Sequence, residues 1–110
     1  MSSYYESRDL KKFSKIADYD KDLAEKFFDW YGAVFEEGAL TGREKALIAL
    51  AVSHAVQCPY CIDAYTEESM KFGVSKEQMM EAVHVAGAIR SGASLVHGVQ
   101  MMNKVNKQDL

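Results

Sequence analysis

The most hydrophobic stretch of the chain, residues 46–56, constrains the fold more than any other segment. Only Ser53 and His54 are polar within it, so a helix here would be apolar nearly all round and would need burial on several sides. Residues 41–44, Thr-Gly-Arg-Glu, form a capping box that predicts where this helix starts. Because a monomer of 110 residues has little interior for such a helix, the sequence predicts a homo-oligomer.

A Cys-Pro-Tyr-Cys motif at residues 58–61 comes after this stretch and contains the only two cysteines of the chain. Two thiols at this spacing can close into a disulfide or bind a soft metal. Proline is favoured at the first position of a helix, so Cys58 is predicted as the N-cap and Cys61 as the third residue of a helix that runs towards Phe72. The positive end of the helix dipole favours the thiolate, which is the nucleophile. The motif therefore predicts a redox site.

Length, charge and cysteine usage set bounds on the function. The 110 residues are predicted to form a single domain, residues 1–110. A formal net charge of -3, without a basic cluster, argues against a nucleic-acid partner. No signal peptide or membrane-spanning run is recognised, so we expect a soluble, cytoplasmic protein with no membrane partner. In a reducing cytoplasm a lone CxxC is more often catalytic or metal-binding than structural.

The segment before the capping box is also predicted to be helical. A single proline, no Asn-Gly or Asp-Gly turn and no sustained alternation of apolar and polar residues argue against a sheet. Apolar spacing predicts a short amphipathic helix over residues 8–17. Asp20 or Asp22 can cap a second helix, and Gly38 is expected to end it. This helix has an apolar and aromatic stripe, interpreted as core or subunit contact, made of Leu23, Phe27, Trp30, Tyr31 and Val34.

Two more helices are predicted after the CxxC helix. Gly73 is suited to end the CxxC helix, and residues 75–78, Ser-Lys-Glu-Gln, form a second capping box. We expect Ser91-Gly92 to break or kink the helix that starts there, and a last helix over residues 93–105. The fold is therefore predicted to be all-α, with a central helical hairpin that carries CxxC at a helix N-terminus.

His54 precedes Cys58 by four residues. If the helical turn continues to the cysteine, the imidazole lies over the thiol, where it could accept its proton or pair with the thiolate and lower the pKa of the cysteine. The alternative is a buried histidine bonded to a backbone carbonyl, and position alone favours neither. His84 and His97 have no acidic or thiol neighbour in sequence and are interpreted as structural.

Three segments resemble the AhpD-like alkylhydroperoxidase branch of the carboxymuconolactone decarboxylase superfamily: residues 43–53 (REKALIALAVS), residues 58–65 (CPYCIDAY) and residues 81–89 (EAVHVAGAI) with the small residues after them. The match covers about residues 23–103. It implies an all-α AhpD-like domain that assembles into trimers or hexamers and whose cysteine pair reduces peroxides or disulfides. Tyr4-Tyr5 and residues 9–13 and 30–41 also resemble a subgroup called arsenosugar biosynthesis-associated peroxidase-like proteins.

The chain departs from this family at the proton relay. In well-studied members the relay is a glutamate twelve residues before the first cysteine, a histidine just before the second and a histidine four residues after it; here Ala46, Tyr60 and Tyr65 occupy these positions. None of the three titrates near neutral pH. Glu44 cannot simply substitute, because two residues rotate a side chain by about 200° around a helix. Either His54 takes over the proton transfer with Tyr65 as a hydrogen-bond donor, or the dithiol serves another purpose.

The favoured interpretation is a thiol-dependent, peroxiredoxin-type peroxidase or disulfide reductase without a metal or cofactor. A small hydroperoxide or disulfide would oxidise the cysteine pair, and an external dithiol would restore it. The candidate catalytic residues are Cys58, Cys61, His54 and Tyr65. The resemblance assigns the attack on the oxidant to Cys61 and resolution to Cys58, whereas helix position alone points to Cys58.

Two alternatives use the same residues differently. The vicinal thiols could bind a thiophilic species such as arsenic(III); zinc is disfavoured because two sulfurs and His54 supply three ligands where structural zinc takes four. A decarboxylase-like superfamily member without peroxidase activity is the other alternative. The cysteine pair argues against it, because the decarboxylase branch does without one.

Overall fold

Residues 5–108 are described by a computed structural model of the chain. A 3₁₀-helix, Ser7–Asp18, precedes four α-helices: α1 (Lys21–Phe35), α2 (Gly42–Ala55), α3 (Pro59–Lys71) and α4 (Lys76–Gln108). No strand occurs among these residues, so the predicted all-α fold is confirmed. Tyr4, one of the residues that carry the resemblance to the arsenosugar-associated subgroup, lies outside the described part of the chain.

The hairpin of α2 and α3 is the centre of the fold, because α2 packs against both α3 and α4. It begins at the predicted capping box: the Thr41 hydroxyl accepts from the Glu44 amide at 3.1 Å, and the Glu44 carboxylate accepts from the Thr41 amide at 2.9 Å. The hydrogen bond from the Thr41 amide to the Glu44 carboxylate lowers the pKa of Glu44. Helical spacing places the buried residues Ala46, Leu50 and Ser53 on one face of α2, which forms the core of the hairpin.

α3 ends in a Schellman motif at the predicted glycine. Gly73 has a φ of 73°, in the left-handed region. Its amide donates to the Met70 carbonyl at 3.0 Å, and the Val74 amide donates to the Ser69 carbonyl at 3.1 Å. The second predicted capping box then starts α4, with reciprocal bonds of 3.1 and 3.0 Å between the first and last of residues 75–78. Both sequence signals at this turn are confirmed.

The N-terminal segment, residues 5–18, packs against α1. The amphipathic helix predicted over residues 8–17 is present as the 3₁₀-helix. Phe13 contacts Phe27 and Phe28 of α1, with ring centroids 5.8 and 5.0 Å apart. Of the two predicted caps, Asp20 is the N-cap of α1, and its carboxylate accepts from a backbone amide at 3.1 Å.

The end of α1 differs from the prediction. The helix stops at Phe35, and Gly38 lies outside it without a left-handed conformation. The chain leaves the helix because Glu36 is extended, with φ -69° and ψ 150°. The Lys45 ammonium donates to the Val34 carbonyl at 2.7 Å and to the Glu36 carbonyl, which supplies the donor that the helix end lacks.

α4 is one continuous helix, so the predicted break at Ser91-Gly92 is wrong, and residues 93–105 form its second half. A glycine inside a helix costs only about 1 kcal/mol relative to alanine and, unlike proline, keeps its amide hydrogen. The neighbouring Arg90 guanidinium donates to the Ala55 carbonyl and joins α4 to the end of α2. Neither α4 nor any other helix within residues 5–108 combines the length and the apolar character needed to cross a membrane.

Much apolar surface is exposed in the single chain. Its radius of gyration is 18.9 Å, whereas a compact domain of this length has about 13 Å. Its accessible surface is 8787 Å², against about 6,100 Å² expected for its mass. Exposed apolar side chains occur on α1 (Leu23, Trp30, Val34), on α2 and its C-cap (Ile48, Val52, Val56) and on α4 (Leu95, Val96, Val99). A homo-oligomer would cover such surfaces, and its existence stays a prediction.

Candidate active site

Cys58 and Cys61 form a disulfide at the start of α3, with their Cα atoms 5.2 Å apart, within the usual range for a disulfide. As predicted, Cys58 is the N-cap and Pro59 the first helical residue. The Cys61 amide donates to Cys58 Sγ at 3.2 Å, so this sulfur has the place that an oxygen has in most N-caps. After reduction, the same amide and the helix N-terminus favour a thiolate at Cys58.

A Schellman motif at the end of α2 leads the chain to Cys58. The Cys58 amide donates to the Ser53 carbonyl at 3.0 Å, and the Gln57 amide donates to the His54 carbonyl at 3.2 Å. Gln57 has a φ of 56°, in the left-handed region that usually contains glycine. The helical path therefore ends at Ala55, and Cys58 does not lie one helical turn above His54.

His54 makes the contact expected of the structural alternative. Its Nδ1 lies 2.8 Å from the Leu50 carbonyl oxygen. Because a carbonyl only accepts, Nδ1 carries the proton, and Nε2 is the acceptor of the neutral ring. The side chain borders a surface cavity together with Tyr5 and Asp63, and neither cysteine lines that cavity. The premise that His54 stacks on Cys58 along one helix is therefore wrong, and a catalytic role for His54 stays a prediction.

Cys61 lines an apolar cavity of about 390 Å³ whose walls come from α1, α2 and α3. We call it the apolar cavity. Most of the lining side chains are aliphatic or aromatic, and besides Cys61 the polar ones are Tyr31, Lys45, Ser53 and Tyr65. Cys58 is not among the lining residues. A small apolar molecule in this cavity would therefore meet Cys61 and not Cys58.

The hydroxyl groups of Tyr31 and Tyr65 are hydrogen-bonded to each other at the wall of the apolar cavity. The Tyr65 ring stacks on Phe35, with centroids 5.2 Å apart and planes inclined by 18°. Burial raises the pKa of Tyr31. Tyr65 is a predicted site residue, whereas the sequence indicated Tyr31 only as part of an aromatic stripe. The hydroxyl of Tyr31 is the signal that the sequence offered, because a tyrosine in an otherwise apolar stripe needs a hydrogen-bond partner and a phenylalanine does not.

The N-terminal segment packs against the start of α3. The hydroxyl groups of Ser7 and Tyr5 both donate to Asp63 Oδ2, two residues after Cys61. The bonds from Ser7 and Tyr5 lower the pKa of Asp63, and the bond to Asp63 raises the pKa of Tyr5. The Tyr5 ring also meets the Tyr60 ring edge to face, with centroids 4.6 Å apart. Sequence patterns missed Asp63 because its partners are 56 and 58 positions away.

A further cavity of about 330 Å³ separates the N-terminal segment from the CxxC motif. We call it the N-terminal cavity. Both cysteines line it, together with Asp9, Lys12 and Phe13. Cys61 thus borders both cavities, whereas Cys58 borders only the N-terminal one.

The three positions that the sequence resemblance assigns to a proton relay contain an alanine and two tyrosines, and no carboxylate or imidazole. Ala46 is buried within α2, with 2% of its surface exposed, while Tyr60 contacts the N-terminal segment and Tyr65 its phenol partner. Glu44 is bound in the capping box. These positions therefore supply no carboxylate or imidazole for proton transfer, and their only proton donors are the two phenols.

No group of three or more His, Cys, Asp or Glu side chains within residues 5–108 is arranged to hold a metal ion. His84 and His97 are exposed on α4. Of the residues that border the two named cavities, the two sulfurs can form and break a disulfide, and the phenols of Tyr31 and Tyr65 can donate a proton.

Comparisons with known proteins agree with this architecture. The model of the carboxymuconolactone decarboxylase family matches residues 21–104. A Paracoccus denitrificans protein described as "Uncharacterized protein 4 in cox locus" is 41% identical over 76 residues, which are 69% of this chain and 68% of that protein. The crystal structure of a Methanobacterium thermoautotrophicum protein has a TM-score of 0.75 at 35% identity, and the match covers 78% of this chain and 97% of that one. The predicted AhpD-like helical fold is confirmed, and the chain belongs to the carboxymuconolactone decarboxylase family.

Proposed function

We propose that the chain is a thiol-dependent oxidoreductase that reduces small hydroperoxides or disulfides with Cys58 and Cys61. One observation carries this proposal: the two sulfurs close into a disulfide at a helix N-terminus, and one of them lines an apolar cavity large enough for a small substrate. The family is named for an enzyme, which supports a catalytic role. The closer likeness to the arsenosugar-associated subgroup stays an interpretation of the sequence.

The proposed cycle starts from the reduced pair. The Cys61 thiolate attacks one oxygen of the hydroperoxide, the O–O bond breaks, and the departing alkoxide takes up a proton to become an alcohol. Cys61 is left as a sulfenic acid. The Cys58 thiolate attacks its sulfur, forms the disulfide and releases hydroxide, which takes up a proton to become water. An external dithiol then reduces the disulfide by two exchange steps and becomes a disulfide itself. The proposed cycle uses no metal or cofactor.

The assignment of attack to Cys61 is supported by the two cavities. Of the two cysteines, only Cys61 borders the apolar cavity, whose aliphatic and aromatic lining suits an organic hydroperoxide. The sulfur of Cys58 accepts the Cys61 amide, and that contact favours a thiolate able to resolve a sulfenic acid. The family resemblance gives the same assignment, and helix position alone gives the opposite one.

The proposed oxidoreductase works as a single domain within a homo-oligomer, a trimer or hexamer, in a reducing cytoplasm. The support for the oligomer is the apolar surface left exposed on α1, α2 and α4 and the accessible area of 8787 Å², well above the value of about 6,100 Å² for a compact monomer. A stable monomer in sedimentation at micromolar concentration would contradict this part of the proposal. A cytoplasmic location would supply the dithiol reductant.

The test is peroxide consumption with a general dithiol, by the wild type beside Cys58→Ser and Cys61→Ser. Both variants are expected to lose turnover, since neither can form the internal disulfide. A sulfenic-acid probe should label Cys58→Ser and not Cys61→Ser, and the reverse pattern would exchange the two roles. A wild type that consumes neither peroxide nor a model disulfide faster than Cys61→Ser would defeat the proposal. Unreactive thiols together with a bound thiophilic ion, found by mass and metal analysis, would favour the binding alternative.

A further inference from the structure

The Tyr31–Tyr65 pair borders the same cavity as Cys61, the cysteine to which the proposed function assigns the attack. Tyr31 comes from α1 and Tyr65 from α3, and both line the apolar cavity together with Cys61. Tyr65 comes four residues after Cys61 on α3, a spacing that places two side chains next to each other on one helix face. The two hydroxyl groups are bonded to each other, and either can be the donor.

We propose that Tyr31 is a positioning residue for peroxide reduction: its hydroxyl donates to the Tyr65 hydroxyl, so that Tyr65 directs its own proton to the oxygen that leaves when Cys61 attacks. This role rests on the proposed function. Two phenols would then perform the proton transfer that related proteins perform with a carboxylate and two histidines, none of which this chain has at those positions.

The other polar side chains of the cavity are already bonded elsewhere. Besides the two phenols, the titratable groups that line it are Lys45 from α2 and Cys61 from α3. The Lys45 ammonium is held by two carbonyls at the end of α1. The Ser53 hydroxyl donates to the Leu50 carbonyl at 2.7 Å. No carboxylate or imidazole is among the lining residues of this cavity. Asp9 and Lys12 border Cys61 from the N-terminal cavity, where they are paired with each other at 3.3 Å. Within the apolar cavity the phenol pair is therefore the proton source.

The rings that carry the two hydroxyls are fixed by a row of aromatic contacts. Tyr31 lies between Phe27 and Phe35, with ring centroids 5.4 and 5.0 Å away. Phe35 in turn stacks on Tyr65. A donor held in place before the substrate arrives loses little entropy on reaction, which is the condition for effective proton transfer.

The acidity of a phenol suits this step. An alkoxide or hydroxide leaving group is far more basic than a phenolate, because alcohols and water are much weaker acids than a phenol. Proton transfer from Tyr65 to the leaving oxygen is therefore downhill. Burial raises the pKa of Tyr31, so this hydroxyl keeps its proton at every pH at which a cysteine thiolate forms near neutrality. Tyr65 recovers its proton from Tyr31, and Tyr31 from solvent, so the pair returns to its starting state.

The first test compares two reactions of reduced protein. Tyr31→Phe should slow the reaction with peroxide by about tenfold, the kinetic equivalent of one hydrogen bond, and Tyr65→Phe by about a hundredfold, as for loss of a general acid. Alkylation by iodoacetamide should be unchanged in both, because departing iodide needs no proton. Tyr19→Phe is the matched control, since Tyr19 is 91% exposed, and it should behave as the wild type.

Three results would overturn the inference: a wild-type peroxide rate in Tyr31→Phe, an equal loss of peroxide and alkylation reactivity, or a larger loss in Tyr31→Phe than in Tyr65→Phe. The second result would indicate a purely structural role. A wild type that does not react with peroxide is a separate outcome, because it defeats the proposed function before any tyrosine variant is compared.

A second measurement does not depend on removing the hydroxyl. Replacement of Tyr31 by a fluorinated tyrosine keeps the hydrogen bond but makes the phenol more acidic. The peroxide rate should then fall at lower alkaline pH than in the wild type, because an ionised Tyr31 accepts the Tyr65 proton and withholds it from the substrate. Alkylation rates should show no such change. If the peroxide rate fell at the same alkaline pH in the fluorinated protein as in the wild type, the inference would be overturned. This result would count even if Tyr31→Phe failed to fold.

Discussion

α2 and α3 end in the same turn, yet only one of the two turns leads into the candidate active site. At the end of α2 the Cys58 amide donates to the carbonyl of the buried Ser53, and at the end of α3 the Val74 amide donates to the carbonyl of the buried Ser69. Both turns are Schellman motifs. The residues that leave the two turns differ, because Val74 is buried in the core whereas Cys58 is half-buried and forms the disulfide.

The residue in the left-handed conformation differs as well. Gly73 adopts a φ of 73° without steric cost, because it has no Cβ. Gln57 has a φ of 56°, where a Cβ costs about 1–2 kcal/mol. Residues held in this way are concentrated at functional sites. The turn at Gly73, here called the packing turn, thus has the unstrained residue. The turn at Gln57, here called the site turn because it leads to the two cysteines, has the strained one.

The two buried serines differ in a third respect. The Ser53 hydroxyl donates to the Leu50 carbonyl at 2.7 Å. The Ser69 hydroxyl, with 0% of the residue exposed, has no hydrogen-bond partner among the described residues. A buried hydroxyl without a partner costs stability, so the packing turn also has a defect that the site turn lacks.

The largest effect is expected at the glycine. Gly73→Ala should lower the free energy of unfolding by about 1–2 kcal/mol, because a residue with a Cβ is strained against its own carbonyl at this positive φ, although no other atom beyond its chain neighbours lies within 4 Å. Gly92→Ala is the matched control: Gly92 lies inside α4 with open space around it, and alanine there should raise the free energy of unfolding by up to about 1 kcal/mol. Urea unfolding measures both. Stabilisation by both substitutions would show that the turn at Gly73 imposes no constraint.

The two serines should respond with opposite sign. Ser69→Ala should raise the free energy of unfolding by about 1 kcal/mol, because it removes a buried hydroxyl that has no partner among the described residues. Ser53→Ala should lower it by about 1 kcal/mol, because it removes a buried hydrogen bond. The same urea titrations decide. A change of the same sign in both variants would mean that the difference between the two hydroxyls has no energetic consequence.

A smaller gain is expected from Gln57→Gly. Relief of the left-handed strain should exceed the entropy that glycine adds to the unfolded chain, for a net gain of about 0.5–1 kcal/mol in the oxidised protein. Gln57→Asn should give an intermediate value, because asparagine tolerates this conformation better than glutamine. A loss of stability in Gln57→Gly would show that the glutamine side chain stabilises the turn, and the contrast with Gly73 would then need another cause.

Local chemistry explains which parts of the fold could be predicted. The two capping boxes, the Cys58 N-cap with Pro59 and the turn at Gly73 each depend on residues within a few positions of one another. The predicted end of α1 was wrong because the carbonyl groups at its actual end are bonded by the Lys45 side chain, which comes from another helix. The predicted break at Ser91-Gly92 was wrong because low helix propensity does not by itself interrupt a helix in which every residue keeps its backbone amide hydrogen.

The residues of the candidate site also divide into those that the sequence reveals and those that only the folded chain brings together. The two cysteines and Tyr65 are visible in one short stretch of sequence. The position of His54 relative to Cys58 stayed open in the sequence, because nothing about Gln57 indicates the left-handed residue that ends the helical path before the cysteine. Tyr31 and Asp63 were missed because their contacts join α1 and the N-terminal segment to α3. Those contacts exist only in the folded chain.

The smallest expected effect concerns a fourth difference between the two turns. The site turn leads into the start of α3, and the N-terminal segment is hydrogen-bonded to Asp63 there. Docking of this segment should depend on pH through both partners of one contact. The pKa of Asp63 is lowered, first by Ser7 and then by Tyr5, so its contribution is present above the ordinary value of 3.8 and is lost as pH falls through the lowered pKa. The pKa of Tyr5 is raised by its bond to Asp63, so its contribution is present below 10.0 and is lost as pH rises through the raised pKa.

We therefore expect the contact between the Tyr5 and Tyr60 rings, followed by NMR, to persist from about pH 4 to pH 10 and to weaken at both extremes. Asp63→Asn should weaken it throughout and remove the acidic limb, because a neutral amide accepts hydrogen bonds less strongly than a carboxylate. Asp18→Asn, at an exposed carboxylate of the same segment, should leave the contact unchanged. If Asp63→Asn also left it unchanged, the aromatic contact alone would hold the segment against α3. The two turns would then differ in the residue that leaves them, in the strain of the left-handed residue and in the hydrogen bond of the buried serine.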